Sequence, residues 1–408
     1  MKPRLWTKNF TLLISATVLG AAGGIAGSFA VSFLVFDETG STLSAAITVA
    51  TAVIPAFIIP IFAAPLMDRL PRKPFLVGGD ILNSVLYAAA GIYLLNFSFS
   101  YIGYLGFSLL LASVSAFDEL AYNSIYPKLL PKGAEERGYA VSGMLYPVVR
   151  VIVAPLAAVL LDTVGVGMIL IFQGAISLLA AIIESFISIS EESRLDEKGY
   201  SVKMWRQDIG EAAAYLKSEK GIRSIYAYMA FTNGIADGYS PLLIAFFRTA
   251  AGFTAAMYSF FSTAEFIGRS IGGAVCYKVH IPKERRFSFA FFVYTVYESM
   301  DMCLLWLPYP LMLANRAVCG FLGINSATMR QTAVQSYIPE RLRSRLNAFA
   351  NMLYFAASAV LSLAVGALGE FVDYRLCLSL CAGASFVVCL LTVWKNRSAV
   401  KSVYENSN

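Results

Sequence analysis

The chain has 408 residues, 58% of them hydrophobic and only 14% charged, with a mean hydropathy of +0.65. That balance excludes a soluble globular domain, which needs a charged exterior however large its core. A net charge of +6 would suit an acidic or nucleic-acid partner, but the bases sit in short loops between apolar runs, so no nucleic acid is expected and the lipid bilayer is the partner implied.

Apolar runs of about twenty residues recur along the whole chain, and each spans a hydrocarbon layer of roughly 30 Å as a helix. The expected fold class is therefore an all-α membrane protein with twelve transmembrane helices. The first run, Asn9 to Phe36, lacks a cleavage site followed by a soluble domain and is read as a span rather than a removable signal. After it come Ser41 to Met67, Pro74 to Asn96, Phe99 to Asn123, Tyr139 to Leu161 and Val166 to Ile187. The second set runs Ser224 to Phe247, Phe253 to Val279, Phe287 to Leu307, Pro308 to Met329, Leu346 to Gly369 and Leu376 to Trp394.

Between the sets lies a polar stretch in which Met204, Ile209, Ala212, Ala213 and Leu216 fall near helical spacing, so Val202 to Leu216 predicts an amphipathic helix on the membrane surface. The organisation expected is an N-terminal six-helix bundle over 1–189, a cytoplasmic linker over 190–223 and a C-terminal six-helix bundle over 224–408. With loops numbered alternately, all but five of the 32 Lys and Arg fall on one side. Arg330, Arg341, Arg343 and Arg345 count among these loop bases, whereas Arg248 and Arg375 lie opposite and Arg150, Arg269 and Arg316 lie within spans. The positive-inside rule then places both termini in the cytoplasm, in the inner (cell) membrane.

An internal duplication supports two halves. At an offset of 208 residues, without a gap, Pro131, Arg137, Ala140, Met144, Leu145 and Tyr146 match Pro339, Arg345, Ala348, Met352, Leu353 and Tyr354. Parallel repeats of this kind suit alternating access, because two halves can rock about a site at mid-membrane.

The loop after the second helix reads Ala64-Pro65-Leu66-Met67-Asp68-Arg69-Leu70-Pro71-Arg72-Lys73. It resembles the Gly-x-x-x-Asp-Arg-x-Gly-Arg-Lys loop motif of the major facilitator superfamily, with Asp68, Arg69, Arg72 and Lys73 kept and Ala64 and Pro71 in place of the glycines. The corresponding stretch Gly273 to Lys278 has Tyr277 where the acid would stand. The resemblance implies a gate in which Asp68 faces the start of the eleventh helix near Arg345. A carboxylate there gains charge and helix-dipole attraction that opening must break. Within the superfamily, the run Ala116 to Pro131 is similar to the fourth-helix region of macrolide-efflux and enterobactin-exporter type proteins. The fifth helix, Arg150 to Ala158, keeps Pro155 but not the glycines of the antiporter motif Gly-x-x-x-Gly-Pro.

Ionisable groups within spans are functional candidates, since each costs several kcal/mol unless paired or wetted. The resemblance implies that helices one, four, seven and ten line the central path. Asp237, between Gly234 and Gly238 in the middle of helix seven, is the leading candidate for proton coupling. Asp118 and Glu119 on helix four are further candidates, and because adjacent helical residues point about 100° apart they cannot share one cavity. Asp118 is expected to pair with Arg150, Asp301 with Arg316 across a short turn at Pro308, and Glu265 with Arg269 at i,i+4 spacing. Glu298, one turn from Asp301, lies in reach of Arg316. Asp80 and Glu184 sit near helix ends, where gate contacts or snorkelling suffice. Asn233, Tyr239, Tyr146 and Tyr354 are candidates for the cavity wall.

The one histidine, His280, is expected in a loop, and the six cysteines have no metal-ligand spacing and are expected as buried apolar thiols. No phosphate loop, zinc spacing or nucleophile elbow is present, so neither an enzyme nor a cofactor nor a metal is expected. The reading these features support is a monomeric secondary transporter exporting amphipathic, drug-like small molecules against protons. Small residues on helix one (Gly20, Gly23, Gly24, Gly27) favour a roomy cavity and hence export. Import or facilitated passage of a small organic solute, which calls for a polar matched cavity, is the alternative, and a non-transporting membrane sensor is the rival outside transport.

Overall fold

The computed structural model describes residues 5–67, 70–131, 134–189, 210–211, 213–278 and 281–405. Among these residues the chain is helical with no strand, as a bilayer requires of a chain that must satisfy every backbone group internally. It divides into two compact units: the first holds 1–40 and 51–199, the second 41–50 and 200–408.

The first unit contains α1 (Lys8–Thr39), most of α2 (Thr42–Met67), α3 (Lys73–Asn96) and α4 (Tyr101–Leu129). A further helical run, Glu135–Ser185, is broken at Gly165, whose φ of 76° and ψ of 169° only glycine adopts without strain. The break separates α5 (135–164) from α6 (166–185). Side chains start the helices: Thr7 Oγ1 accepts from Phe10 N at 3.3 Å and Ser100 Oγ from Gly103 N at 3.3 Å. α3 lies on α6 at backbone contact, since a side chain on Gly91 would come within 2.6 Å of the Gly167 carbonyl and one on Gly174 within 2.8 Å of the Ser84 carbonyl. Phe10, Leu13, Leu76, Ile125 and Tyr126 form the buried cluster at one end. Ile81, Val85, Ile92, Ile152, Val159 and Leu179 are exposed, which suits lipid rather than water.

The second unit contains α7 (Lys220–Thr249), α8 (Ala255–Lys278), α9 (Lys283–Cys303), α10 (Tyr309–Tyr337), α11 (Glu340–Phe371), α12 (Tyr374–Cys389) and a short α13 (Arg397–Glu405). α7 packs on α11 at Gly234 and Gly238, and α8 on α10 at Gly272 and Gly320. The first turns of α2 also belong to this unit. Glu370 of α11 accepts from Ser41 Oγ (2.8 Å), Thr42 Oγ1 (3.0 Å) and Leu43 N (2.8 Å), so its carboxylate caps that helix start. The domain expectation placed residues 41–50 with the first half. α13 is anchored by fully buried Val400, Val403 and Tyr404.

Two boundaries differ from the sequence expectation in ways that matter. α10 continues eight residues beyond Met329 to Tyr337, because no breaker precedes Pro339, and Arg330 is therefore a helix residue and not a loop base. α4 runs through Pro127 to Leu129. Of the central stretch, 190–209 and 212 lie outside the described residues. Residues 213–218 are helical, and Leu216 is buried in the core formed by α7, α9 and α13. Seven helical runs among the described residues are long and apolar enough to cross a membrane, with α5 and α6 counted as one run. α7 to α10 are not among them, since they carry the charges and tyrosines described next.

Candidate transport site

Asp237 lies between Gly234 and Gly238, the two residues at which α7 touches α11. That close approach brings α11 hydroxyls to the carboxylate. Tyr354 Oη donates to Asp237 Oδ2 at 2.9 Å and Ser358 Oγ to the same oxygen at 2.5 Å. Among the described residues Oδ1 accepts no hydrogen bond and no basic group pairs with Asp237. A carboxylate so held is fixed in position but uncompensated in charge.

A cavity of about 180 Å³ lies within the same unit, walled by α7, α8, α9 and α10. Asn233 and Tyr239 of α7 line it, as do Arg269, Glu298, Asp301 and Arg330. The structure brings Asp301 and Arg316 together as an ion pair, both residues under 10% exposed. Arg316 is also held by Asn315 Oδ1 at 2.9 Å. Glu265 and Arg269 meet at 2.7 Å on α8. Glu298 does not share Arg316. Its Oε1 accepts from Tyr228 Oη (2.9 Å) and Thr232 Oγ1 (2.6 Å), because α7 lies nearer to that face of α9 than the guanidinium does.

The first unit does not bring its candidates together in the expected way. Asp118 turns to α3, where the bare Gly79 leaves room for it: a side-chain carbon there would sit 3.5 Å from Asp118 Oδ1. That buried oxygen has no hydrogen-bond partner, while Arg150 is exposed on α5 and forms no ion pair with Asp118. Glu119 is exposed, and Tyr146 is 53% exposed. Glu184 is buried, again with an unpartnered carboxylate oxygen. On α1, a side-chain carbon on Gly27 would lie 3.6 Å from Tyr87 and 3.8 Å from Leu170, whereas one on Gly20 or Gly24 would meet open space. A second cavity of about 270 Å³, almost wholly apolar, lies between α1, α3 and α4.

Of the expected gate, Asp68 and Arg69 lie outside the described residues, as does His280. Arg72 and Lys73 open α3, with Lys73 Nζ donating to the Ser185 carbonyl at 2.7 Å. Arg345 forms an ion pair with Glu211, a partner sequence reading missed because only the fold brings residue 211 to the start of α11. Of the cysteines, Cys319, Cys377, Cys381 and Cys389 are buried, but Cys303 is exposed at the end of α9. Ser358, Tyr228, Thr232 and Ser326 were also missed, since hydroxyls in apolar helices carry no signal beyond their spacing.

A chain that is helical throughout its described residues, with apolar outer faces and ionisable side chains buried within both of its units, has the character of a polytopic membrane protein. The Major Facilitator Superfamily model matches residues 12–298, more than half of the sequence, and the chain belongs to that family. No curated protein matches the sequence. Among solved structures it is similar to a POT family transporter in complex with 5-aminolevulinic acid (TM-score 0.74, 9% identity, 96% of each chain covered). It is also similar to a bacterial homolog of the human lysosomal transporter Spinster in an inward-facing and unoccupied conformation (0.68, 12%, 98% of this chain and 97% of that one). A third is the nucleoside transporter NupG (0.68, 10%, 95% and 99%). At these identities the likeness is one of fold. The chain is thus a multi-pass membrane protein and a transporter rather than an enzyme.

Proposed function

We propose that this protein is a proton-coupled secondary transporter of small organic molecules in the cytoplasmic membrane. It acts as a monomer with both termini in the cytoplasm, and its halves, 1–189 and 224–408, rock by alternating access. The observation that carries the coupling assignment is the setting of Asp237, oriented by Tyr354 and Ser358 and neutralised by no base among the described residues. Such a carboxylate can take up and release a proton without breaking an ion pair. Asp68 to Lys73, with Arg345, form the cytoplasmic gate in this reading, and Asp118 and Glu119 are secondary coupling candidates.

Export of amphipathic, drug- or macrolide-like compounds is supported by the open glycine face of α1 and by the apolar cavity between α1, α3 and α4. Uptake of a small polar solute is favoured by a different observation, the polar cavity carrying Glu298 and Arg330. Purified protein in liposomes under an imposed pH gradient tests both. Flux is expected to follow the gradient, and Asp237→Asn to abolish gradient-driven accumulation while sparing downhill exchange. Unchanged accumulation in Asp237→Asn refutes the coupling assignment, and the direction in which macrolides, dyes or small polar solutes move decides between export and uptake.

A further inference from the structure

The polar cavity of the second unit holds two charges left over after the others have paired. Asp301 is taken by Arg316 and Arg269 by Glu265. Glu298, 2% exposed, uses only Oε1 for its two hydroxyl donors, and no bond is made by Oε2 among the described residues. Arg330 meets no carboxylate among the described residues, and its guanidinium is held beside the Tyr294 hydroxyl. Both side chains line the same cavity, yet they do not pair with each other.

Their spacing follows from the helices. Tyr294 precedes Glu298 by one turn on α9, about 6 Å along the axis, so the tyrosine beside which Arg330 is held and the free acid share one face of that helix. Ser326 precedes Arg330 by one turn on α10 and lies on the same face. It is 2% exposed, lines the cavity, and its Oγ has no partner. A buried acid and a half-buried base kept apart in one small space each bear a desolvation cost that direct pairing would offset. The arrangement becomes favourable when a ligand carrying both charges bridges them. The volume, about 180 Å³, leaves room for a small organic ion of amino-acid size. The aromatic wall from Tyr228, Tyr239 and Tyr297 bounds it.

We infer that this cavity binds a small zwitterion, with the ammonium on Glu298 Oε2 and the anionic end on Arg330 and Ser326 Oγ. The inference rests on the uptake reading of the transported solute and names its chemical class.

The test is equilibrium binding to the full-length protein in detergent, by calorimetry and without any gradient. The probes are alanine, β-alanine and γ-aminobutyrate, with N-acetyl-β-alanine and β-alanine amide as singly charged counterparts. At least one zwitterion is expected to bind saturably, and at least tenfold more tightly than either capped form. In Arg330→Gln the advantage of β-alanine over its amide should vanish, and in Glu298→Gln its advantage over the N-acetyl form should vanish. These comparisons are internal to each variant, so lowered stability does not mimic them, and Arg330→Lys should retain the preference. Capped and free forms binding equally to native protein, or no zwitterion binding to protein with an intact unfolding transition, overturns the inference. Selective binding without flux in liposomes would instead count against the transport reading alone.

Discussion

The two units treat buried charge in opposite ways. In the second, Asp301 is paired with Arg316, Glu298 takes two hydroxyls and Asp237 takes two more. In the first, Asp118 and Glu184 each keep a buried oxygen without a partner, while Arg150 faces outward. The repeat makes the contrast sharper. Tyr354 and Ser358 stand 208 residues after Tyr146 and Arg150 on the duplicated helix, yet only the later pair reaches a carboxylate. The same helix has been turned to holding an acid in one half and released from it in the other. Organised charge belongs to the second unit, and that is where the candidate site lies.

Neutralising one acid in each unit should break this comparison most visibly. Asp301→Asn strands the Arg316 guanidinium in a buried setting and is expected to cost about 3–5 kcal/mol of stability, read as a large fall in the unfolding temperature of detergent-purified protein. Replacing both partners, Asp301→Leu with Arg316→Met, should recover most of that loss, since an apolar pair of similar volume no longer strands a charge. Asp118→Asn removes a carboxylate that has no cation to lose, so its effect should stay within about 1 kcal/mol. Equal losses at the two sites would mean that the units do not differ as described.

Sequence reasoning reached what periodicity and hairpin geometry control. The helices were legible as apolar runs, and Asp301 and Arg316 were legible as neighbours because a tight turn at Pro308 sets antiparallel helices at matched depth. What it missed depends on contacts between helices distant in sequence. Glu298 looks to Tyr228 and Thr232, some 70 residues earlier, and nothing in the spacing of α9 says which neighbour it will face. Asp118 was expected to reach α5, but a glycine on α3 offered it room. Arg330 read as a loop base because its helix outlasts its apolar run, and Ser326 carried no mark until the cavity gave it one.

A smaller effect tests the close packing that brings α11 hydroxyls to Asp237. At Gly238 a side-chain carbon would lie 2.6 Å from Val365 Cβ, so Gly238→Val forces α7 and α11 apart and is expected to cost about 1–3 kcal/mol. Because Tyr354 and Ser358 sit on the displaced helix, gradient-driven flux should fall further than stability alone explains. Gly20→Val on α1, where a side chain meets open space, should leave the stability within about 0.5 kcal/mol of native. Similar losses in the two variants would show that the glycines of α1 and α7 serve the same purpose.

The smallest difference concerns how helices begin. Asp373 caps α12 in the second unit, its Oδ1 accepting from Arg375 N at 2.9 Å and Leu376 N at 3.4 Å, while Ser100 caps α4 in the first with one bond at 3.3 Å. An ionised cap also gains from the helix dipole, which a hydroxyl does not. Asp373→Ala should therefore cost about 1–2 kcal/mol and Ser100→Ala about 0.5–1. Asp373→Asn keeps the acceptor and removes the charge, so its loss isolates the dipole contribution, expected at about 0.3–1 kcal/mol. Added salt should shrink that contribution if the cap is exposed to solvent, and leave the Ser100→Ala loss unmoved. An Asn variant as damaging as the alanine would assign the whole effect to charge and none to the hydrogen bonds.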